Sequence, residues 1–351
     1  MFNRDINILV TGAKGQLGSY LVDYFTKLSL KKSSRIGKVF GIDIDDLDIR
    51  NAAVVDQFFD RNSVNPPIEI DYVIHCAAAT NTSAIEAKPE DYFAVNCLGP
   101  KNIAKSCARN GIKMVFISTD YVLSVKSPIV DGDLQEFPVN QYGLQKLIAE
   151  QFVKEAYRDK PKDYMILRSS WMFGNSDNSF VEKFLKNVFA SYAAKGSAPD
   201  GCKIEVPVAD DAYGQPTPVW FIADTLKSLM LNKCHGTMDL HYPCCQISRY
   251  TWATMIWKAF VDGEQCIDSK TSDIIDRLVD KIAVVPRHSK DIGISMHHPG
   301  KTKISSHTIY EHEKKFGDAM TDIFTQDTSM YVTKNWLKYV EMANEMIVNR
   351  A

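Results

Sequence analysis

Ile6-Asn7-Ile8-Leu9-Val10-Thr11-Gly12-Ala13-Lys14-Gly15-Gln16-Leu17-Gly18 is the stretch that decides the fold. Residues 6–10 are mostly branched apolar side chains and read as a buried strand. Glycines at 12, 15 and 18 follow at once, and Leu21, Val22, Phe25 and Leu28 then recur at helical spacing. Strand, glycine loop and helix make the first βα unit of a dinucleotide-binding fold, because backbone without Cβ atoms lets a pyrophosphate approach a helix N-terminus. Gly12, Lys14, Gly15, Gln16, Leu17 and Gly18 are therefore the expected cradle for a cofactor.

Further along, the polar, basic linker Lys31 to Lys38 leads into a strand at Val39–Ile42 that ends at Asp43. A carboxylate there accepts hydrogen bonds from ribose hydroxyls and repels a 2′-phosphate, which leans toward NAD(H). Arg35, Lys38 and Arg50 are near enough in sequence to compensate, so these residues leave the cofactor open between NADP(H) and NAD(H). Tyr72–Cys76 reads as the next strand, and Ala77, Ala78 and Ala79 at its end are small enough for close approach of a cofactor. Pro89 to Asn110 is expected as one long helix that could turn the Asn96 amide toward the same edge. Met114–Ile117 and Tyr164–Leu167 are further buried strands, the first ending at Ser118 and Thr119. This alternation predicts an α/β fold, a doubly wound parallel (Rossmann) sheet whose strand ends carry the ligands.

Tyr142 and Lys146 open a helical pattern, and a spacing of four puts phenol and ammonium on one face. A carbonyl being reduced needs a proton at its oxygen, and a tyrosine near pKa 10 lies about 4 kcal/mol from delivering or losing it freely at neutrality. A neighbouring ammonium favours the phenolate, so Lys146 is expected to lower Tyr142. Thr119, at a strand end, supplies a third polar group.

Beyond residue 174 the rhythm changes: a helix through Phe180–Val188, a loop over 193–201, a strand at Lys203–Val208, and helices at Val219–Leu231, Ile247–Phe260 and Thr328–Val348. The expected domains are 1–167 with 207–234 returning to it, and a smaller C-terminal α/β substrate domain of 168–206 and 235–351, with substrate between them. With 351 residues, 45% hydrophobic and 24% charged, the chain can build two cores. A net charge of -2 gives no basic footprint for nucleic acid. No apolar run approaches the about 18 residues that span a bilayer, and no leader pattern opens the chain, so a cytoplasmic protein is expected. The eight cysteines include no Cys-x-x-Cys and read as reduced core residues, while His297, His298, His307 and His312 lack metal-pair spacing and read as surface residues. No metal is expected.

Together these residues resemble the extended short-chain dehydrogenase/reductases, and within them the dTDP-4-dehydrorhamnose reductase family. The marks are Thr-Gly-x-x-Gly-x-x-Gly at 11–18, Ser-Thr-Asp-Tyr-Val at 118–122, Tyr-Gly-x-x-Lys at 142–146, Arg-Ser-Ser-Trp at 168–171, and Gly-Gln-Pro-Thr at 214–217. The resemblance implies NADPH-dependent reduction of the C4 ketone of a nucleotide 4-keto-6-deoxy sugar. It assigns Thr119, Tyr142 and Lys146 to catalysis, with Tyr142 as proton donor and Lys146 on the nicotinamide ribose. Ser118 and Asn96 fall on its cofactor side, and Asp120, Tyr121, Trp171, Asn178, Gln215, Pro216 and Thr217 on its substrate side. The expected partners are a nucleotide sugar and, for a homodimer, a second copy of the chain.

The chain departs from that family in having no Asp in Ser83-Ala84-Ile85-Glu86-Ala87, Leu123 after Val122, Gln145 for the usual Thr, and His298-Pro299-Gly300-Lys301-Thr302 near the C-terminus. One alternative is a non-catalytic NADP-binding partner, since the regulatory β subunit of methionine adenosyltransferase resembles the same family. A second is a sugar-nucleotide 4,6-dehydratase, which needs a second carboxylate after the active-site Thr; Asp120 is followed here by Tyr121. A 4-epimerase, the third, requires retained NAD.

Overall fold

A computed structural model of the chain describes residues 4–60, 69–124, 135–174, 176–177, 179–195, 201–242, 246–263, 269–294, 328, 330–332 and 334–348. Contacts divide it into two units. The described residues of the first lie in Met1–Asn175 and Pro216–Tyr242, and those of the second in Ser176–Gln215, Pro243–Ser295 and His312–Ala351.

In the first unit six strands form one parallel sheet: β1 (Ile6–Thr11), β2 (Ile36–Ile42), β3 (Tyr72–His75), β4 (Lys113–Thr119), β5 (Tyr164–Ser169) and β6 (Gly236–Asp239). Their spatial order is β6-β5-β4-β3-β1-β2. The chain leaves β1 toward β2 and then returns past it to β3, so the direction of winding reverses between β1 and β3. Carboxyl ends at such a reversal diverge and leave room for a ligand.

Successive residues of a strand face opposite sides, and both sides are covered here. Ile8 and Val10 of β1 pack with Leu17, Leu21 and Phe25 and with Ile222, Leu226 and Met230 of the Val219–Leu231 helix. Leu9, Val73, Met114, Phe116 and Ile166 pack on the other side with Val55, Ile103, Cys107, Ala149 and Val153. Each of these side chains removed from water contributes about 1.5–3 kcal/mol, which makes this double layer the dominant stabilising feature of the unit.

Two local expectations change. β2 begins at Ile36 rather than residue 39, because Arg35 at φ 61 ends a short 3-10 turn (Lys32–Ser34) and delivers Ile36 opposite Ile6. The helix expected from Pro89 to Asn110 is interrupted: α-helix at Pro89–Phe93 and Gly99–Arg109 flanks a wider π turn at Ala94–Leu98. Pro100 has no N–H to offer the carbonyl four residues back, at Asn96, and Gly99 N donates to Ala94 O instead.

The second unit has a two-stranded parallel sheet, Ile204–Ala209 with Ile282–Arg287, and helices at Phe180–Lys195, Arg249–Asp262, Ser269–Lys281 and Trp336–Val348. Residues 247–248 are a strand paired with Tyr213–Gly214, so the helix expected from Ile247 starts at Arg249, capped by the Ser248 hydroxyl on Thr251 N (3.0 Å). Phe180 stacks on Trp252 at 4.8 Å, and Trp336 donates its indole N–H to Phe260 O at 2.8 Å. Buried Glu182 accepts the hydroxyls of Tyr331 (2.7 Å) and Tyr339 (3.0 Å). Among the described cysteines Cys97 and Cys107 are buried thiols as expected, whereas Cys202 is exposed. His297, His298, His307, His312 and the 298–302 element lie outside the described residues. Among the described residues no helix is long and apolar enough to cross a membrane.

Candidate active site

The glycine loop turns at Gly12, whose φ of 69 and whose neighbours forbid a side chain: a Cβ there would stand 2.7 Å from Ala77 N. A Cβ at Gly18 would stand 2.1 Å from Gly12 O, so the loop closes onto the helix that starts at Gln16. Gly15 caps that helix without a side-chain acceptor, which leaves its first-turn amides directed at an anion. Ala77 is brought to the same place because Cys76 N donates to Thr11 O (3.2 Å) and Ala77 N to the Thr11 hydroxyl (3.4 Å). A cradle of backbone donors that any Cβ would fill fits the pyrophosphate of a dinucleotide.

The predicted cofactor side chains are used unevenly. Lys14 N and Ile44 N each donate to the Asp43 carboxylate at 2.8 Å, tying the glycine loop to the end of β2. The Lys14 ammonium pairs with exposed Asp45. The Gln16 amide donates to Met172 O (3.3 Å) and Gly174 O (3.0 Å), bracing the segment after Trp171.

At the end of β4 the Thr119 hydroxyl donates to Asp120 Oδ1 (3.2 Å) and accepts from Tyr121 N (3.3 Å). The Gln141–Ala156 helix is started by Asn140, whose side chain accepts from Gly143 N at 2.7 Å. That start sets the Tyr142 ring edge-on to Tyr121, 6.1 Å between centroids. One turn on, the buried Lys146 ammonium donates to Ile117 O (2.6 Å) and lies 4.1 Å above the Phe116 ring. Thr119 thus ends β4, while Tyr142 packs on Tyr121 just beyond that end and Lys146 bonds Ile117 within the strand.

The expected lowering of Tyr142 by Lys146 is not what this arrangement produces. Burial, then Tyr121 and Asp120, push the phenol well above its ordinary value. Lys146 is itself lowered to about 8 by burial, with Glu150 opposing that shift. A desolvated phenol beside a carboxylate stays protonated, which is the state a proton donor needs.

Three buried residues to which sequence reasoning gave no role, Gln145, Glu150 and Arg168, complete the surroundings. Asn96 accepts from Ala79 N (2.8 Å) and donates to Ala79 O (3.2 Å) and to Gln145 Oε1 (2.9 Å), so its amide is spent on holding the alanine loop. Ser118 donates its hydroxyl to Glu150 Oε1 at 2.6 Å, and Arg168 holds both Glu150 oxygens at 3.0 and 2.6 Å. The signal for Glu150 was its place four residues after Lys146; Gln145 and Arg168 needed the tertiary contacts.

Trp171 is buried with φ 36, a conformation that costs a bulky residue energy and persists where its surroundings demand it. Thr217 N donates to Trp171 O (3.2 Å), and the Thr217 hydroxyl accepts from Tyr242 N (3.3 Å), both in the first unit. Pro216 is buried beside Thr217, Gln215 belongs to the second unit and is half-buried, and Asn178 lies outside the described residues.

The model of the RmlD substrate-binding domain matches residues 6–277. The dTDP-4-dehydrorhamnose reductase of Mycolicibacterium smegmatis is 32% identical over 212 residues, 60% of this chain and 56% of that protein. That alignment spans a little over half of the relative's length. Among solved structures, a dTDP-4-dehydrorhamnose reductase of Clostridium acetobutylicum is 26% identical with TM-score 0.64, covering 93% of this chain and 98% of that one. The Bacillus anthracis dTDP-4-dehydrorhamnose reductase in complex with NADP is 25% identical with TM-score 0.61, covering 84% and 88%. With its glycine cradle at the reversal of the sheet and its Tyr142–Lys146 helix at the end of β4, the chain belongs to the RmlD substrate-binding domain family.

Proposed function

We propose that this chain is an NADPH-dependent reductase of the C4 ketone of a nucleotide 4-keto-6-deoxy sugar, converting dTDP-4-dehydro-L-rhamnose to dTDP-L-rhamnose in the cytoplasm. The observation that carries the reading is that Thr119 ends β4 while the helix bearing Tyr142 and Lys146 packs against Tyr121 and Ile117 there, at the same end of the parallel sheet as the Gly12–Gly18 loop. NADPH, when bound, supplies the hydride. Gly12, Gly15 and the first-turn amides at Gln16–Gly18 hold its pyrophosphate, and the Ala77–Ala79 loop lines its path.

The chain's own part is to hold the ketone and deliver a proton. Thr119 and Tyr142 present hydroxyls to the C4 oxygen, and Tyr142 Oη releases its proton as charge develops there. Burial, with Tyr121 and Asp120, keeps that phenol protonated until the oxygen needs it. Lys146, one helical turn after Tyr142, holds the nicotinamide ribose. Trp171, in its constrained conformation, lines the sugar pocket together with Pro216 and Thr217.

Dehydration is disfavoured because one carboxylate, Asp120, follows Thr119 where two are needed. The reductase names of the relatives favour turnover over a non-catalytic NADP-binding role. The test supplies dTDP-4-keto-6-deoxyglucose with a 3,5-epimerase and NADPH, and follows both cofactor absorbance and sugar product. Oxidised cofactor with equimolar dTDP-rhamnose is expected. NADPH binding with no turnover of either the dTDP or the UDP sugar would overturn the proposal in favour of the binding-protein alternative.

A further inference from the structure

We infer that Glu150 is a positioning residue whose fixed negative charge keeps the buried Lys146 side chain an ammonium, with Ser118 and Arg168 holding that carboxylate in place. This rests on the reading of Lys146 as the lysine of the reductase site.

Tyr142, Lys146 and Glu150 follow one another at intervals of four on a single helix face. Lys146 is 3% exposed and Glu150 fully buried, so neither charge is compensated by water. The ammonium's hydrogen bond goes to Ile117 O and its flat contact is the Phe116 ring; both are neutral. Burial alone drives a lysine toward the uncharged amine, and Lys146 is indeed brought down to about 8, with Glu150 the first group opposing the fall.

The other titratable groups acting on Lys146 come from neighbouring elements and carry no charge near that pH. His75 of β3 is held neutral, lowered to about 3 by burial and by Lys146 itself. Cys76, just after β3, and Cys97, in the π turn, are thiols pushed up to about 12 by burial. Asp120 acts on Tyr142, and Glu136 and Asp239 act on Arg168. Glu150 is therefore the anion in this set that opposes the loss of the Lys146 proton.

The placement of that anion is built into the sheet. Ser118, Arg168 and Asp239 are register partners across β4, β5 and β6, one row of polar side chains across three parallel strands. From this row Ser118 donates to Oε1 and Arg168 to both oxygens, a geometry that stops the carboxylate from swinging. Buried ion pairs add little to stability, because desolvation offsets their attraction. The Glu150 carboxylate, one helical turn after the lysine, is explained by what its field does to the ammonium, where a packed apolar pair in place of Glu150 and Arg168 would serve stability equally.

The test titrates the 13Cε resonance of Lys146 in cofactor-free, lysine-labelled protein, assigned by its loss in Lys146→Met. Glu150→Gln is expected to lower the midpoint by about one unit, since it deletes a full charge within a low-dielectric site. Glu150→Asp keeps the charge but withdraws it by one methylene, and is expected to move the midpoint the same way by less; it serves also where the Gln variant does not fold. In the reductase assay the alkaline limb of kcat of each variant should move from the wild-type position by the same shift. A folded variant of either kind that titrates at the wild-type midpoint overturns the inference. Absence of turnover in the wild type would instead strike the proposed function and leave the titration to decide this point.

Discussion

Gln145 accepts a hydrogen bond from the Asn96 amide at 2.9 Å, and the same Asn96 side chain grips both the N–H and the C=O of Ala79. Gln145 also donates to Pro89 O at 2.7 Å. The helix that carries Tyr142 and Lys146 is thereby tied through the π turn to the alanine loop beside the glycine cradle. Gln145→Ala leaves the buried Asn96 amide and the half-buried Pro89 carbonyl without these partners, which costs about 2–4 kcal/mol. Denaturant unfolding should show that loss, and the KM for NADPH should rise as the loop loosens. Unchanged stability would mean the amide relay is incidental.

Tyr142→Phe removes the proton donor while keeping the ring against Tyr121. A fall in kcat of about 100-fold or more is expected, with the Kd for NADPH changed by less than about twofold. Single-turnover kinetics and cofactor fluorescence measure the two separately. Reduction at the wild-type rate would remove Tyr142 from the mechanism.

Lys146 sets the pH dependence. Its pKa is lowered to about 8 from an unfolded value of 10.5, so between those values the unfolded chain binds more protons than the folded one. From this group stability rises with pH across that window, while the catalytic ammonium is lost above about 8. The rate of ketone reduction should therefore fall on the alkaline side of that value even as the Lys146 contribution to stability improves. Comparing unfolding free energies of wild type and Lys146→Met from pH 7.5 to about 10 checks the second half: the rise attributable to this group should vanish in the variant.

Asp43 opposes the cofactor that the family resemblance implies. Its carboxylate is held by Lys14 N and Ile44 N at the end of β2, where a 2′-phosphate meets it with like charge. Asp43→Asn should raise the ratio of kcat/KM for NADPH over NADH by about fivefold or more, read from parallel saturation curves. A wild-type preference for NADH of a hundredfold would show that Asp43 prevails over the resemblance.

By itself the sequence determined the sheet and its ligand edge. Branched strands, a glycine loop whose Gly12 and Gly18 tolerate no Cβ, and apolar residues at helical spacing are local requirements, and local pattern records them. It also placed Tyr142 and Lys146 on one helix face, because an interval of four is a property of the helix alone. The interruption at Ala94–Leu98 was legible only in hindsight from Pro100, since losing one donor decides between a kink and a π turn only in context. Tertiary structure alone decided the partners: that Ser118 and Arg168 meet at Glu150, that Asn96 holds Ala79 directly while donating to Gln145, and that Lys146 takes Ile117 O. Those choices depend on strand register and on which buried donor lies within about 3 Å of which acceptor, and residues 17 to 49 positions apart carry no sequence pattern that fixes such a distance.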